Sequence, residues 1–114
     1  MKILITFVMA GLAATSMAYG SAVNLIAGYR NTGAGPFSPD AGASAWTQEH
    51  QSSSGAGTRS CASCHGTNIS KAGRHAKTGK PIEPMALSVN PARLTDAKKV
   101  EKWFRRNCRW TLGR

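Results

Sequence analysis

Cys61-Ala62-Ser63-Cys64-His65 is a single C-x-x-C-H run, and its reading decides the fold. The spacing is the attachment signature of a c-type haem. Two thiols three residues apart add across the two vinyl groups of one porphyrin, and the next residue lies under the iron, where an imidazole serves as proximal ligand. A thioredoxin-like redox pair would need a βαβ context, which the sequence lacks. A zinc site would need a second ligand pair, and only Cys108, His50 and His75 remain to supply one. Cys61 and Cys64 are therefore the expected thioether residues and His65 the expected iron ligand.

Outward from that run, the N-terminus agrees with attachment outside the cytoplasm. Lys2 precedes an apolar stretch over residues 3–14 that is too short to span a bilayer. Small residues close it at Ser16-Met17-Ala18 or Ala18-Tyr19-Gly20. Residues 1–20 thus read as a cleaved signal peptide, which places the mature protein in the periplasm without a permanent membrane anchor. Residues 21–114 remain for one domain, a length that buries only a modest core on its own. A large, mostly apolar porphyrin is the expected centre of that core.

Charge is uneven along the chain. The whole sequence carries +10, and from Arg59 onward thirteen Lys and Arg face only Glu83, Asp96 and Glu101. A basic surface of this kind suits nucleic acid, a membrane surface or an acidic protein. Export argues against nucleic acid and leaves an acidic redox partner or an anionic ligand.

Local signals outline an all-α domain. Residues 21–29 carry a partial apolar stripe of Val23, Leu25, Ile26 and Tyr29, followed by a Gly-rich turn that ends at Pro36. Ser38-Pro39-Asp40 supplies a capping hydroxyl, a proline for the first turn and an early acid, predicting a helix to about His50 with Gly42 and Trp46 on one face. Residues 52–60 read as a flexible approach to the haem motif. After His65, glycines and prolines predict a loop organised around a haem edge. Thr95 is the expected cap of a last helix, with Asp96 in its first turn. On that helix Val100, Trp103, Phe104, Asn107 and Cys108 share one face, expected to be buried, while lysines and arginines fill the remainder.

The residue opposite His65 governs the chemistry of the haem. His75 lies only ten residues from His65, a short tether for crossing the porphyrin. Met85 sits in the Pro-rich loop Pro81-Ile82-Glu83-Pro84-Met85 and would give a high-potential carrier, or pack against the haem. Asn90 is a further amide. Asn107 is forty-two residues away, far enough to reach the opposite face, and a polar amide on a buried stripe needs a partner. Spacing alone leaves these alternatives open.

Cys61-Ala62-Ser63-Cys64-His65-Gly66, Thr78-Gly79-Lys80, Ile82, Pro84, Asn90-Pro91, Arg93, Thr95-Asp96, Val100-Glu101-Lys102-Trp103 and Arg106-Asn107-Cys108 together resemble the sphaeroides haem protein family. The similarity extends from about residue 25 to residue 114 and is densest from Ser60 onward. It implies a class I c-type cytochrome fold around one covalent haem c, with His65 the permanent ligand and Asn107 the distal ligand to ferric iron. It also implies that Asn107 lets go on reduction and that a diatomic such as oxygen or nitric oxide then binds. A dihaem cytochrome c and a membrane cytochrome b are the partners it implies. Two departures stand out. Met85 replaces another apolar residue, which retains the alternative of a plain electron carrier ligated by His65 and Met85. The chain also stops at Thr111-Leu112-Gly113-Arg114, where the family continues with a disulfide partner for Cys108 and a C-terminal helix packed on the helix bearing Trp46. A truncated domain with an unpaired Cys108 is the resulting expectation. Electron transfer and ligand binding need no turnover, so no catalytic residue is assigned.

Overall fold

The structure is a computed structural model that describes residues 20–53, 55 and 57–113. The expected signal peptide therefore lies outside the described residues, except for Gly20. Residues 20–31 are helical (α1), as the apolar stripe predicts, and the helix closes where Thr32 donates through its backbone and its hydroxyl to the Tyr29 carbonyl. Helix α2 spans Pro39–Thr47, and its cap is the expected one: the Ser38 hydroxyl accepts from the Ala41 N–H at 3.0 Å.

Helix α2 stops three residues short of the predicted end because His50 belongs to a strand. His50–Gln51 (β1) pairs antiparallel with Thr58–Arg59 (β2), so the expected flexible approach is a small hairpin. Gly55 and Gly57 turn it with φ of +69° and +84°, a region open to glycine at little cost. Its flanking serines are the most buried polar residues described, with Ser52 5% and Ser60 8% exposed. Strands of two residues have no readable period, which is why the hairpin was hidden in a Ser/Gly-rich run.

The haem motif follows at once, on the single-turn helix α3 (Ala62–His65), and the loop after it holds a second hairpin, Gly73–Arg74 (β3) with Pro81–Ile82 (β4). Helix α4 (Ala97–Asn107) then runs into a π-helical turn over Cys108–Leu112. The Ser52 hydroxyl donates to the Trp110 carbonyl at 3.3 Å, seating this turn on the β1–β2 hairpin. A side chain at Gly113 would lie 2.8 Å from the Gln51 carbonyl oxygen, so the chain crosses the hairpin where only glycine fits.

Two expectations about α4 need correction. Asp96, not Thr95, is its cap: the Asp96 carboxylate accepts from the Lys99 N–H at 3.0 Å, while the Thr95 hydroxyl donates to the Ala92 carbonyl. Of the two adjacent capping residues, it is the Asp96 side chain that faces the first free N–H groups of the helix. The apolar stripe is also not buried by polypeptide. Trp103 and Phe104 are 45% and 54% exposed, Asn107 is exposed, and only Val100 and Cys108 are partly covered. The contact across it comes from α1, where the Tyr29 ring lies 6.5 Å from Phe104. No large side chain among the described residues is fully buried. The expected all-α architecture is present, without a dry protein-only core. No helix among the described residues is long and apolar enough to cross a membrane.

Asp96→Ala removes the α4 cap and should destabilise the haem-loaded protein by about 1 kcal/mol. For a domain of this size the thermal midpoint, followed by circular dichroism, should fall by roughly 4–8 °C. Thr95→Ala, which leaves the cap intact, should cost clearly less.

Candidate haem-attachment site

The start of α3 is fixed by two serines. Ser60 donates its N–H to the Ser63 hydroxyl at 2.9 Å, and the two hydroxyls lie 3.3 Å apart. The turn is then closed by Cys64 and His65, whose N–H groups both donate to the Cys61 carbonyl. Residues three apart share a helix face. Cys61 and Cys64 therefore project from one side of α3, both free and half-buried.

Their surroundings differ. The Cys64 sulfur accepts from the Ala76 N–H at 3.3 Å, which ties it to the β3–β4 hairpin. Burial pushes the Cys61 thiol above its usual range, its own backbone hydrogen bond opposes this, and the nearby Cys108 raises it further. The end of α4 thus lies near the first cysteine of the motif.

His65 is held from two sides. Its ring lies 5.5 Å from that of Trp46, whose indole N–H donates to the Gly66 carbonyl at 2.9 Å. Helix α2 thus braces the histidine of the motif through Trp46. On the other side β3 approaches so closely that a side chain at Gly73 would run into the Cys64 carbonyl oxygen and lie 2.8 Å from the His65 Cα. Burial, with help from the Arg93 charge, lowers the His65 pKa, so the imidazole is neutral at neutral pH and has a lone pair to offer. Its Nδ1 is buried with no hydrogen-bond partner among the described residues.

The four candidates for the far side separate on what their side chains already do. His75 accepts at Nδ1 from the Lys77 and Thr78 N–H groups, at 3.2 and 3.1 Å, and so organises its own turn. Asn90 donates its amide to the Pro84 carbonyl at 3.2 Å, beside Arg93, which donates to the Pro84 and Glu83 carbonyls. Met85 is half-buried, with its N–H donated to the Ile69 carbonyl. Asn107, at the end of α4, is exposed, and no hydrogen bond of its amide to another described residue is seen.

Paired thiols, a neutral imidazole with an uncommitted nitrogen, and a bare Trp103–Phe104 face fit a covalently held haem. Arg59, two residues before the motif, adds a buried Nε with no partner among the described residues, suited to a haem carboxylate. A zinc site has no such support, since no three His, Cys, Asp or Glu side chains converge among the described residues. Trp46 at the ring, Gly73 and Arg93 were not legible as site residues, because each acts on a neighbour distant in sequence, and nothing local to Arg59 shows that its Nε is buried.

Comparison with known proteins agrees with this chemistry. A family model described as a domain of unknown function, DUF1924, matches residues 32–114. The chain is 39% identical over 94 residues to the cytochrome c-type protein SHP of Cereibacter sphaeroides, covering 82% of this chain and 71% of that one. It is 47% identical over 53 residues to cytochrome c'' of Methylophilus methylotrophus, covering 46% of this chain and 37% of that one. The solved structure of oxidised SHP, an oxygen-binding cytochrome c, superposes with a TM-score of 0.70 at 35% identity, over 81% of this chain and 80% of that chain. Oxidised cytochrome c'' from M. methylotrophus gives a TM-score of 0.59 at 32% identity, over 87% and 78%.

Gly73→Ala places a methyl group against the backbone under the proximal histidine. Overpacking of this kind costs about 1–3 kcal/mol, so the variant should yield less haem-loaded protein and a lower midpoint for loss of the Soret circular dichroism. Gly42→Ala, where a side chain meets nothing within 4 Å inside α2, should lower neither and raise the midpoint slightly through helix propensity.

Proposed function

We propose that this chain, which belongs to the SHP family of class I c-type cytochromes and carries one covalent haem c, is an exported redox protein whose reduced haem binds a diatomic ligand once Asn107 lets go. Cys61 and Cys64 would hold the haem through thioether bonds, and His65 would serve as its iron ligand. Arg59, whose buried Nε has no partner among the described residues, would be placed to pair with a haem carboxylate. When bound, haem supplies one-electron redox chemistry and an axial coordination position.

The observation that carries the reading is the state of Asn107. Its amide is exposed at the end of α4 and makes no hydrogen bond to another described residue, whereas the His75 Nδ1 and the Asn90 amide nitrogen are spent on local turns. Its neighbour Cys108 lies close enough to Cys61 to act on it electrostatically. A neutral amide oxygen is a hard donor, matched to ferric better than to ferrous iron. With haem bound, the Asn107 amide oxygen would favour the ferric over the ferrous state, so its release on reduction would open a place for a small neutral molecule such as oxygen or nitric oxide.

The likeness to an oxygen-binding relative supports the same reading. Met85 supports the other, a plain electron carrier, because its thioether is half-buried in the expected loop. Electrons would come from an acidic redox partner, of which a dihaem cytochrome c and a membrane cytochrome b are examples.

Asn107→Ala should change the ferric absorption spectrum and leave carbon monoxide binding to the reduced protein intact, while Met85→Leu changes neither. A reduced wild-type protein silent toward carbon monoxide, with a ferric spectrum moved by Met85→Leu and not by Asn107→Ala, would establish the electron carrier instead. Export is checked separately. Full-length chain expressed in a cytochrome-maturing bacterium should appear in the periplasmic fraction, with its N-terminus at about residue 19 or 21. Haem-bearing protein found in the membrane fraction with residues 1–20 intact would refute that placement.

A further inference from the structure

Lys98, Lys102, Arg105 and Arg109 follow one another along α4 and the π-helical turn at steps of four, three and four, so they form one stripe. A groove of about 580 Å³ runs along it and is also lined by Glu101, Arg106 and Trp110. Glu101 is the one acid in the lining, and it is spent on Arg105 at 3.0 Å. The other cations have no carboxylate to face within the groove. The β3–β4 hairpin adds a further one, with the Lys77 ammonium 5.8 Å above the Trp110 ring. Like charges at these spacings repel one another, so this face gains when an anionic surface covers it.

The far end of the groove leads toward the haem motif. Trp110 is 37% exposed and meets the His75 ring edge-on at 5.9 Å. The next residue, Ala76, donates its N–H to the Cys64 sulfur at 3.3 Å. Two contacts thus separate the aromatic rim of the groove from a thioether sulfur.

We propose that this groove is the docking face for an acidic redox protein, seated on the Lys98–Arg109 stripe with Trp110 at its rim, and that electrons enter beside Cys64. One electron leaves the reduced partner and one is gained by the haem, with no bond or proton moved at the contact. The stripe is about 16 Å long at the helical rise of 1.5 Å per residue. That length suits a carboxylate-rich protein surface better than one small anion. The electron route rests on the haem reading above, whereas docking itself is measured independently of it.

The test titrates the haem-loaded protein with flavodoxin, an acidic one-electron flavoprotein, by isothermal calorimetry at low and high ionic strength. Affinity should fall about tenfold with salt, and about tenfold at low salt in Lys98→Glu/Lys102→Glu/Arg109→Glu, because exposed charges act through screened long-range attraction. Lys98→Gln/Lys102→Gln, which only neutralises two exposed side chains, should lose about threefold and serves where the triple variant does not fold. Affinity indifferent to salt and to both variants overturns the proposal, as does tighter binding to vesicles containing anionic lipid than to flavodoxin. Reduction by dithionite is read in parallel. Its failure counts against the haem reading, while failure of the titration alone counts against the docking face.

Discussion

Everything in this molecule depends on one helical turn. Helix α3 brings two thiols to one side and an imidazole to its end within five residues, and the rest of the chain holds that turn in place. Ser60 and Ser63 fix its start. Trp46 closes over the imidazole from α2, and Gly73 lets a strand approach where any side chain would collide. The cost of burying His65 appears as a lowered pKa and an unpartnered nitrogen, both of which favour a neutral metal ligand. A small chain with no fully buried large side chain among its described residues needs a large apolar partner at its centre. The haem is therefore both cofactor and core.

Helix α4 divides its work by face. Asn107 ends the face that also carries Trp103 and Phe104, and the chain turns there into the π-helical segment seated on the β1–β2 hairpin. The stripe of cations gathers charge in a single groove. The Glu101–Arg105 pair on it is exposed at both ends and contributes little to stability. The value of those charges lies in long-range attraction rather than in folding. An exposed amide at the end of one face and a cationic stripe on another thus share one helix.

Features set by neighbours in sequence were legible in advance. The Ser38-Pro39-Asp40 start of α2 depends only on local capping, and the face shared by Trp103, Phe104 and Asn107 follows from helical period. The C-x-x-C-H run carries its chemistry in its spacing. What depends on distant partners was not legible. Nothing near Gly73 in sequence reveals that Cys64 and His65 lie against it, and nothing near Trp46 reveals that its partner is His65. Thr95 and Asp96 are both capping types, and only the backbone geometry of the structure shows that Asp96 takes the position. Helical period shows which residues of α4 share a face but not what covers it, which is why Trp103 and Phe104, expected to be buried, stand exposed in the polypeptide alone.

Covalent attachment is the claim on which ligand binding, redox function and stability all rest. Peptide mass spectrometry of the chain purified from a cytochrome-maturing host tests it most directly. The expected result is one porphyrin on the peptide spanning Cys61 to His65, with both sulfurs consumed and Cys108 free of haem. Unmodified thiols at Cys61 and Cys64 in folded protein would contradict it.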